Sequence, residues 1–170
     1  MPEVVQGLLL AGIGLAAAVA IGWPLIRGRT GAVAAAAAQL GLSVHAPPRR
    51  FEGDAARLAA RFAHELRLGS AQLCVWGGES TVQLPSHPGR GGRNQHLALA
   101  AARLIAGHAD LMLLAAGTDG VDGVTEDAGA LIDAETCARL TLAELDADRC
   151  LQRADSARRS RRRSGRRRPR

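Results

Sequence analysis

Apolar and polar residues recur with two different periods along the middle of the chain, and these periods predict its helices and strands. The stretch GAVAAAAAQLG predicts a helix that Gly41 closes, and LSVHA after it predicts a short strand. Asp54 stands where it can cap a second helix, AARLAARFAHELRL, in which Leu58, Phe62 and Leu66 recur every four positions. The chain therefore begins to alternate between helix and strand near residue 30.

The alternation continues through the centre of the chain. AQLCVWGG is almost continuously apolar, as in a strand covered on both faces, and STVQL predicts a second short strand by its period of two. A helix is expected from about Gln95 to His108, followed by the strand DLMLLAAG. The resulting order, αβαββαβ, indicates an α/β fold with helices layered on a mixed β-sheet.

Beyond this strand the pattern becomes polar. TDGVDGVTEDAGALID predicts a loop, and a further helical stretch begins near Glu135. Thr141 and Glu144 have the spacing of a capping box for a last helix, LAELDADRCLQRA.

The two ends of the chain differ in composition from the middle. Residues 1–29 are largely apolar, and residues 4–26 contain no charge, so this run is long enough to span a membrane as a single anchor. The alternatives are a buried helix rich in Ala and Gly, or the remnant of a connector. Residues 158–170 hold nine arginines and no acidic residue, which predicts a disordered tail.

The location of the charge narrows the classes of function. The formal net charge is +6, but without the tail 13 arginines face 16 acidic residues, so the body of the chain is slightly acidic. With four aromatic residues in the whole chain, the tail predicts non-specific contact with nucleic acid, and specific binding is not expected. The absence of Lys excludes a P-loop lysine or a Schiff-base lysine within this chain.

The spacing of the cysteines and histidines bears on the redox compartment and on metal binding. Three cysteines without a CxxC pair favour buried thiols in a reducing compartment, here the cytoplasm. The five histidines show no HxH or HxxxH spacing, so no metal site held by protein side chains is predicted.

A basic, glycine-rich loop precedes the helix expected at Gln95. In PGRGGRNQ, the glycines at 89, 91 and 92 allow backbone amides to point at a ligand, and the helix places its positive end at the same point. Arg90 and Arg93 add planar, permanently charged groups suited to phosphate or carboxylate. The loop is either an anion site or a plain basic turn.

A second loop offers carboxylates. LMLLAAGTDGVDG predicts a buried strand whose carboxyl end delivers Asp119 and Asp122, at the edge where α/β folds bind ligands. A carboxylate there can deprotonate a hydroxyl or hold Mg²⁺, and the alternative is an acidic turn that bonds its own backbone. Together the two loops indicate phosphoryl transfer to a hydroxyl.

Three motifs then identify a family resemblance: GGESTV at 77–82, GRGGRNQ at 89–95 and AAGTDGVDGVTEDAGALID at 115–133. They closely resemble the MOFRL domain, the C-terminal domain of glycerate 2-kinases, which are also labelled hydroxypyruvate reductases. The resemblance runs from about residue 30 to about residue 157. It implies phosphorylation of D-glycerate, or a similar small hydroxy acid, at the 2-hydroxyl with ATP and Mg²⁺.

The resemblance also implies roles for individual residues. Arg93 handles the phosphoryl group, and Asp119 activates the glycerate hydroxyl. The other residues of the motifs are candidates for binding substrate or phosphate: Gly77, Gly78, Glu79, Gly89, Arg90, Gly91, Gly92, Asn94, Thr118 and Asp122.

The chain departs from the family pattern at both ends. The family's larger N-terminal domain, with its active-site lysine, has no counterpart in these residues, and after CLQRADSA the sequence turns to Arg and Ser. Residues 30–157 are therefore expected to be a MOFRL-like domain that is incomplete at its C-terminus. The chain would be a partial glycerate 2-kinase, inactive alone, with a partner chain supplying the nucleotide-binding half. The alternative is a membrane-tethered module that binds a small anion without catalysis.

Overall fold

The computed structural model describes residues 16–21 and 26–157. These residues form six strands and five helices in an α/β arrangement. The strands are β1 (Ala16–Ile21), β2 (Val44–His45), β3 (Phe51–Asp54), β4 (Leu73–Thr81), β5 (Leu111–Ala116) and β6 (Gly129–Asp133). The helices are α1 (Ile26–Gln39), α2 (Ala55–Leu68), α3 (Arg93–Ile105), α4 (Thr136–Leu142) and α5 (Ala147–Gln152).

The strands form a mixed sheet, which confirms the predicted fold class. Their order is β2-β4-β1-β5-β6, and β3 pairs with the last residues of β4. β1, β2, β3, β4 and β5 run parallel, and β6 lies antiparallel to β5 at one edge. The parallel strands β4 and β5 thus bring their carboxyl ends to the same edge of the sheet.

Part of the apolar N-terminal run forms a strand, so for residues 16–21 the two helical interpretations of the sequence were wrong. Residues 16–21 lie at the centre of the sheet, with Val19 opposite Val75 on one side and Leu114 on the other. The rest of the uncharged run, residues 4–15 and 22–25, lies outside the described residues, as does the arginine-rich tail at 158–170. Among the residues that are described, none of the helices is both long and apolar enough to cross a bilayer.

Three of the predicted elements were wrong. STVQL does not form a separate strand, because β4 continues without a break to Thr81. GALID was assigned to a loop, but it forms β6 by pairing with β5. Thr141 does not cap a helix: it lies within α4 and donates its hydroxyl to the carbonyl of Cys137, at 3.1 Å, and the cap of α5 is Asp146.

The helix predictions were better because local signals define those elements. Asp54 caps α2 as predicted, with Oδ1 accepting from the backbone amides of Ala56 and Arg57, each at 3.0 Å. The apolar stripe Leu58, Phe62 and Leu66 is buried. α1 ends beside Gly41, whose φ of 79° suits glycine.

The core is divided between the two faces of the sheet by the period of β4. Leu73 and Val75 pack with Ala37 of α1, whereas Cys74 and Trp76 join the larger cluster beneath α2 and α3. On that side the Trp76 ring stacks on Phe62 with 4.2 Å between ring centroids, and its indole N–H donates to Glu65 Oε2 at 2.8 Å. This packing fixes β4, and the first of the two glycine-rich loops begins at its end.

Candidate functional site

A cleft of about 620 Å³ opens at the carboxyl ends of β4 and β5. It lies where the loop after β4 (82–92), the loop after β5 (117–128) and the first turn of α3 meet. Its lining includes five of the site residues predicted from the sequence: Gly91, Gly92, Arg93, Asp119 and Asp122. The remaining lining residues include Ser80, Thr81, His96, Val121, Gly123, Val124 and Ser156.

The N-terminus of α3 is occupied by a carboxylate of the protein itself. Asp122 Oδ1 accepts from the backbone amide and the side-chain amide of Asn94, at 3.0 and 3.1 Å, and Oδ2 accepts from the amide of Gln95 at 2.7 Å. The side chain of Asp122 is buried, with 2% of its residue surface exposed. A negative charge at this end of a helix is stabilised by the free amides and the helix dipole. Asp122 thus joins the two loops.

Several backbone amides of the basic loop donate to acceptors within the protein. The amide of Gly89 donates to the carbonyl of Arg153 at 2.7 Å, and that of Arg90 donates to Asp155 Oδ1 at 2.9 Å. The amide of Gly92 donates to Gln95 Oε1 at 3.1 Å. Because these three amides and those of Asn94 and Gln95 have internal acceptors, side chains are the main groups that this region offers to an anion.

The glycines of the two loops allow the backbones to pack directly against each other. A Cβ on Gly92 would overlap the carboxyl group of Asp122, and one on Gly123 would lie 2.6 Å from the carbonyl oxygen of Gly91. Gly123 also has a φ of 62°, which side chains disfavour. The glycines in this region therefore serve loop-to-loop packing.

Arg93 is the cation of the cleft lining. It is the first residue of α3, and its guanidinium forms an ion pair with Glu79 near the end of β4. The two side chains are 44% and 42% exposed, so the pair lies at the mouth of the cleft and contributes little to stability. The ion pair instead fixes the position of Arg93, because Glu79 holds the guanidinium over the carboxyl edge of the sheet.

Asp119 lies at the tip of the loop after β5. Its side chain is exposed, and Oδ1 accepts from the amide of Val121 at 3.3 Å. This contact orients the carboxylate as in an Asx turn but leaves it accessible from the cleft. The following Gly120 has a φ of 84°, which allows the chain to reverse there.

The other predicted site residues lie outside the cleft lining. Gly77 and Gly78 are buried within β4, where Gly77 pairs with β1 and Gly78 pairs with Phe51 of β3. Thr118 is half-buried after β5, and Asn94 is buried beside Asp122. The structure therefore gives the glycines of GGESTV a role in strand packing, where the resemblance implied contact with a ligand.

Several residues that line the cleft were not predicted as site residues, and Ser80 and His96 are two of them. Ser80 was assigned to a short alternating strand, and its burial follows only from the unbroken β4. His96 was considered only as a metal ligand, although its place in the first turn of α3 was a usable signal. Burial lowers the pKa of His96, and the carboxylate of Asp54 partly opposes this effect.

Comparison with known proteins finds glycerate kinases among the relatives of this chain. D-glycerate 2-kinase from Thermotoga maritima is 36% identical over 108 residues, covering 61% of this chain and 26% of the relative. Glycerate kinase from Homo sapiens is 43% identical over 93 residues, covering 52% of this chain and 18% of the relative. The chain thus spans about a quarter or less of these relatives.

The fold comparison points the same way. The crystal structure of glycerate kinase from Thermotoga maritima superposes with a TM-score of 0.68 at 29% identity, covering 75% of this chain and 33% of that one. Residues 72–165, which include all three motifs, match the MOFRL family. The chain therefore belongs to the MOFRL family.

Proposed function

We propose that the cleft binds D-glycerate, or a similar small hydroxy acid, and supports transfer of a phosphoryl group to its 2-hydroxyl. The observation that carries the proposal is that Arg93 and Asp119, supplied by different loops, line the same cleft. A guanidinium and an accessible carboxylate are the groups that this reaction requires of the protein. The names of the relatives, glycerate kinase and D-glycerate 2-kinase, support the same reaction.

The chemistry assigned to each group follows from its charge and access. Asp119 accepts the proton of the 2-hydroxyl while that oxygen forms its bond to phosphorus and the bond between phosphorus and the donor oxygen breaks. Arg93 donates to the oxygens of the transferring group, where negative charge is concentrated in the transition state. Asp122 acts through α3: it holds the first turn and so positions Arg93.

The family implies ATP and Mg²⁺, and the described residues do not form a complete site for either. No group of three or more His, Cys, Asp or Glu side chains is placed to hold a metal ion in the described part of the chain. The cleft lining includes one arginine, Arg93, whereas a nucleoside triphosphate carries several negative charges. We therefore assign no ligand of Mg²⁺ or of the nucleotide to these residues and derive no step through them.

Glycerate binding without turnover is the activity expected of these 170 residues alone. We expect the purified chain to show no phosphorylation of D-glycerate by ATP above background, because the nucleotide has no assigned contacts within it. A partner chain that carries the nucleotide-binding half would restore turnover. The measurement is the appearance of 2-phosphoglycerate with chain, ATP and Mg²⁺ present, and sustained turnover by the chain alone would contradict the partial-enzyme proposal.

Arg93 provides the direct test of the site. We expect Arg93→Ala to weaken binding of 2-phosphoglycerate to the full chain by about tenfold or more, because charge-assisted hydrogen bonds contribute roughly 1.5–3 kcal/mol. Binding is followed by NMR chemical-shift titration of the ¹⁵N-labelled chain.

Arg103→Ala is the matched control for this substitution. Arg103 lies on the same helix and forms an ion pair with Asp148 at 2.6 Å, at comparable exposure but outside the cleft lining. Its removal should leave the affinity unchanged. Equal affinities for the Arg93 variant and the unmodified chain would refute the assignment of Arg93.

A further inference from the structure

The cleft contains buried polar atoms that the protein leaves unpaired. Ser80 Oγ, His96 Nδ1 and Ser156 Oγ are buried and have no hydrogen-bond partner among the described residues, and all three side chains belong to the cleft lining. An unpaired buried polar atom costs roughly 1–3 kcal/mol, so native structures rarely retain one without a ligand, a water molecule or a function. Three in one cleft point to a ligand.

Ser80 is a buried residue of the cleft lining whose backbone is fixed by strand pairing. Its residue is 2% exposed, and its backbone is paired with Gly53 of β3 at the end of β4. The preceding residue, Glu79, holds Arg93, and the following Thr81 pairs with Asp54. The Ser80 hydroxyl thus has a fixed backbone position next to the residue that orients the cationic side of the cleft.

His96 lies on the same face of α3 as Arg93, three residues along the helix. Partial burial lowers the pKa of His96, and the nearby carboxylate of Asp54 opposes this with a smaller effect. The positive end of α3 also disfavours a charged imidazolium. The side chain is therefore a neutral imidazole near pH 7. A neutral imidazole carries one N–H donor and one acceptor nitrogen.

The chemistry of the two groups selects their ligand. A serine hydroxyl and a neutral imidazole can each donate or accept, which matches a hydroxyl group, since a hydroxyl does both. In the proposed reaction Arg93 contacts the transferring phosphoryl group and Asp119 contacts the reacting 2-hydroxyl. Of the two hydroxyl groups of D-glycerate, this leaves the 3-hydroxyl without an assigned contact.

We propose that Ser80 and His96 form a subsite that binds the hydroxyl that is not phosphorylated, so that the cleft selects a dihydroxy acid over a monohydroxy acid. This inference rests on the proposed function. A site built to bond a hydroxyl rejects an analogue without it, because its buried polar groups then stay unpaired.

The test compares D-glycerate with D-lactate, which lacks the 3-hydroxyl, by NMR titration of the full ¹⁵N-labelled chain. We expect D-glycerate to bind about tenfold or more tightly, with a shift of the His96 imidazole resonances that D-lactate does not produce. Ser80→Ala and His96→Phe should each weaken D-glycerate binding by about fivefold, which corresponds to one hydrogen bond, and leave D-lactate binding unchanged. His96→Asn, whose side-chain amide can replace Nδ1, should retain most of the preference.

Ser86 and His87 supply matched controls of the same residue types. They are exposed, bonded to each other with 3.2 Å between Ser86 Oγ and His87 Nδ1, and lie outside the cleft lining. Ser86→Ala and His87→Phe should leave the preference intact. Amide spectra of each variant verify that it is folded.

The outcomes separate the subsite from the reaction. Two results would overturn the subsite and leave the proposed function standing. In the first, D-glycerate binds the unmodified chain no more tightly than D-lactate does. In the second, the preference for D-glycerate survives in both Ser80→Ala and His96→Phe. If D-glycerate does not bind the unmodified chain, both proposals are overturned.

Discussion

Asp122→Ala is expected to lower the free energy of unfolding by about 3–5 kcal/mol, because a buried hydrogen-bond donor that loses its acceptor costs roughly 1–3 kcal/mol. The substitution leaves three donors without their acceptor: the amides of Asn94 and Gln95 and the side chain of Asn94. It also leaves a void beside Gly92, which packs against the Asp122 carboxyl group. Denaturant unfolding followed by circular dichroism measures the loss.

Two further variants make this result specific. Asp122→Asn keeps the shape but turns an amide N–H₂ toward the helix donors, so we expect an intermediate loss. Asp119→Asn changes an exposed carboxylate in the same loop and should shift stability by no more than about 0.5 kcal/mol. Similar losses for Asp119→Asn and Asp122→Asn would show that Asp122 has no special role at the helix N-terminus.

Gly78→Ala should be nearly as damaging, by about 3 kcal/mol or more. A Cβ at this position would overlap the carbonyl oxygen of Phe51 and lie 2.6 Å from its amide nitrogen. The contact is with backbone, so relief requires β3 to move away from β4, and overpacking of this kind is costly. The displaced strand carries Asp54, whose cap of α2 would be strained as well.

The same substitution at Gly31 provides the opposite expectation. Gly31 lies within α1, and nothing lies within 4 Å of the position that a Cβ would take. Gly31→Ala should raise the free energy of unfolding by about 0.5–1 kcal/mol, because alanine favours the helix. The measurement is the denaturant midpoint of unfolding of Gly78→Ala and of Gly31→Ala under the same conditions. Equal changes in the two midpoints would rule out the backbone overlap at Gly78.

These stability effects bear on the reaction because the site is assembled by packing. Arg93 is positioned from one side by Glu79 at the end of β4 and from the other by Asp122 at the start of α3. A loss at either support is expected to displace the guanidinium even where the fold survives. The binding titrations of the Asp122 variants report such a displacement separately from unfolding.

Local signals in the sequence were sufficient for most helices and for three strands, β2, β4 and β5. The cap at Asp54, the stripe through Phe62 and the stop at Gly41 all act within one or two turns of the chain, and the structure contains them. β6 and β3 carried no such signal, because short strands form only where a neighbouring strand offers its edge. For the same reason the central position of β1 could not be read from an apolar run that also suits a helix.

The sequence by itself determined the chemistry available here: two arginines and two aspartates on glycine-rich loops, in motifs that resemble one family, with no lysine in the chain. Only the tertiary structure decided which of these groups are free to act. The carboxylate of Asp122 is used at the helix N-terminus, while Arg93 and Asp119 lie in the cleft lining. Such distinctions depend on distances between loops far apart in the chain, because a hydrogen bond forms only when the fold brings donor and acceptor within about 3 Å.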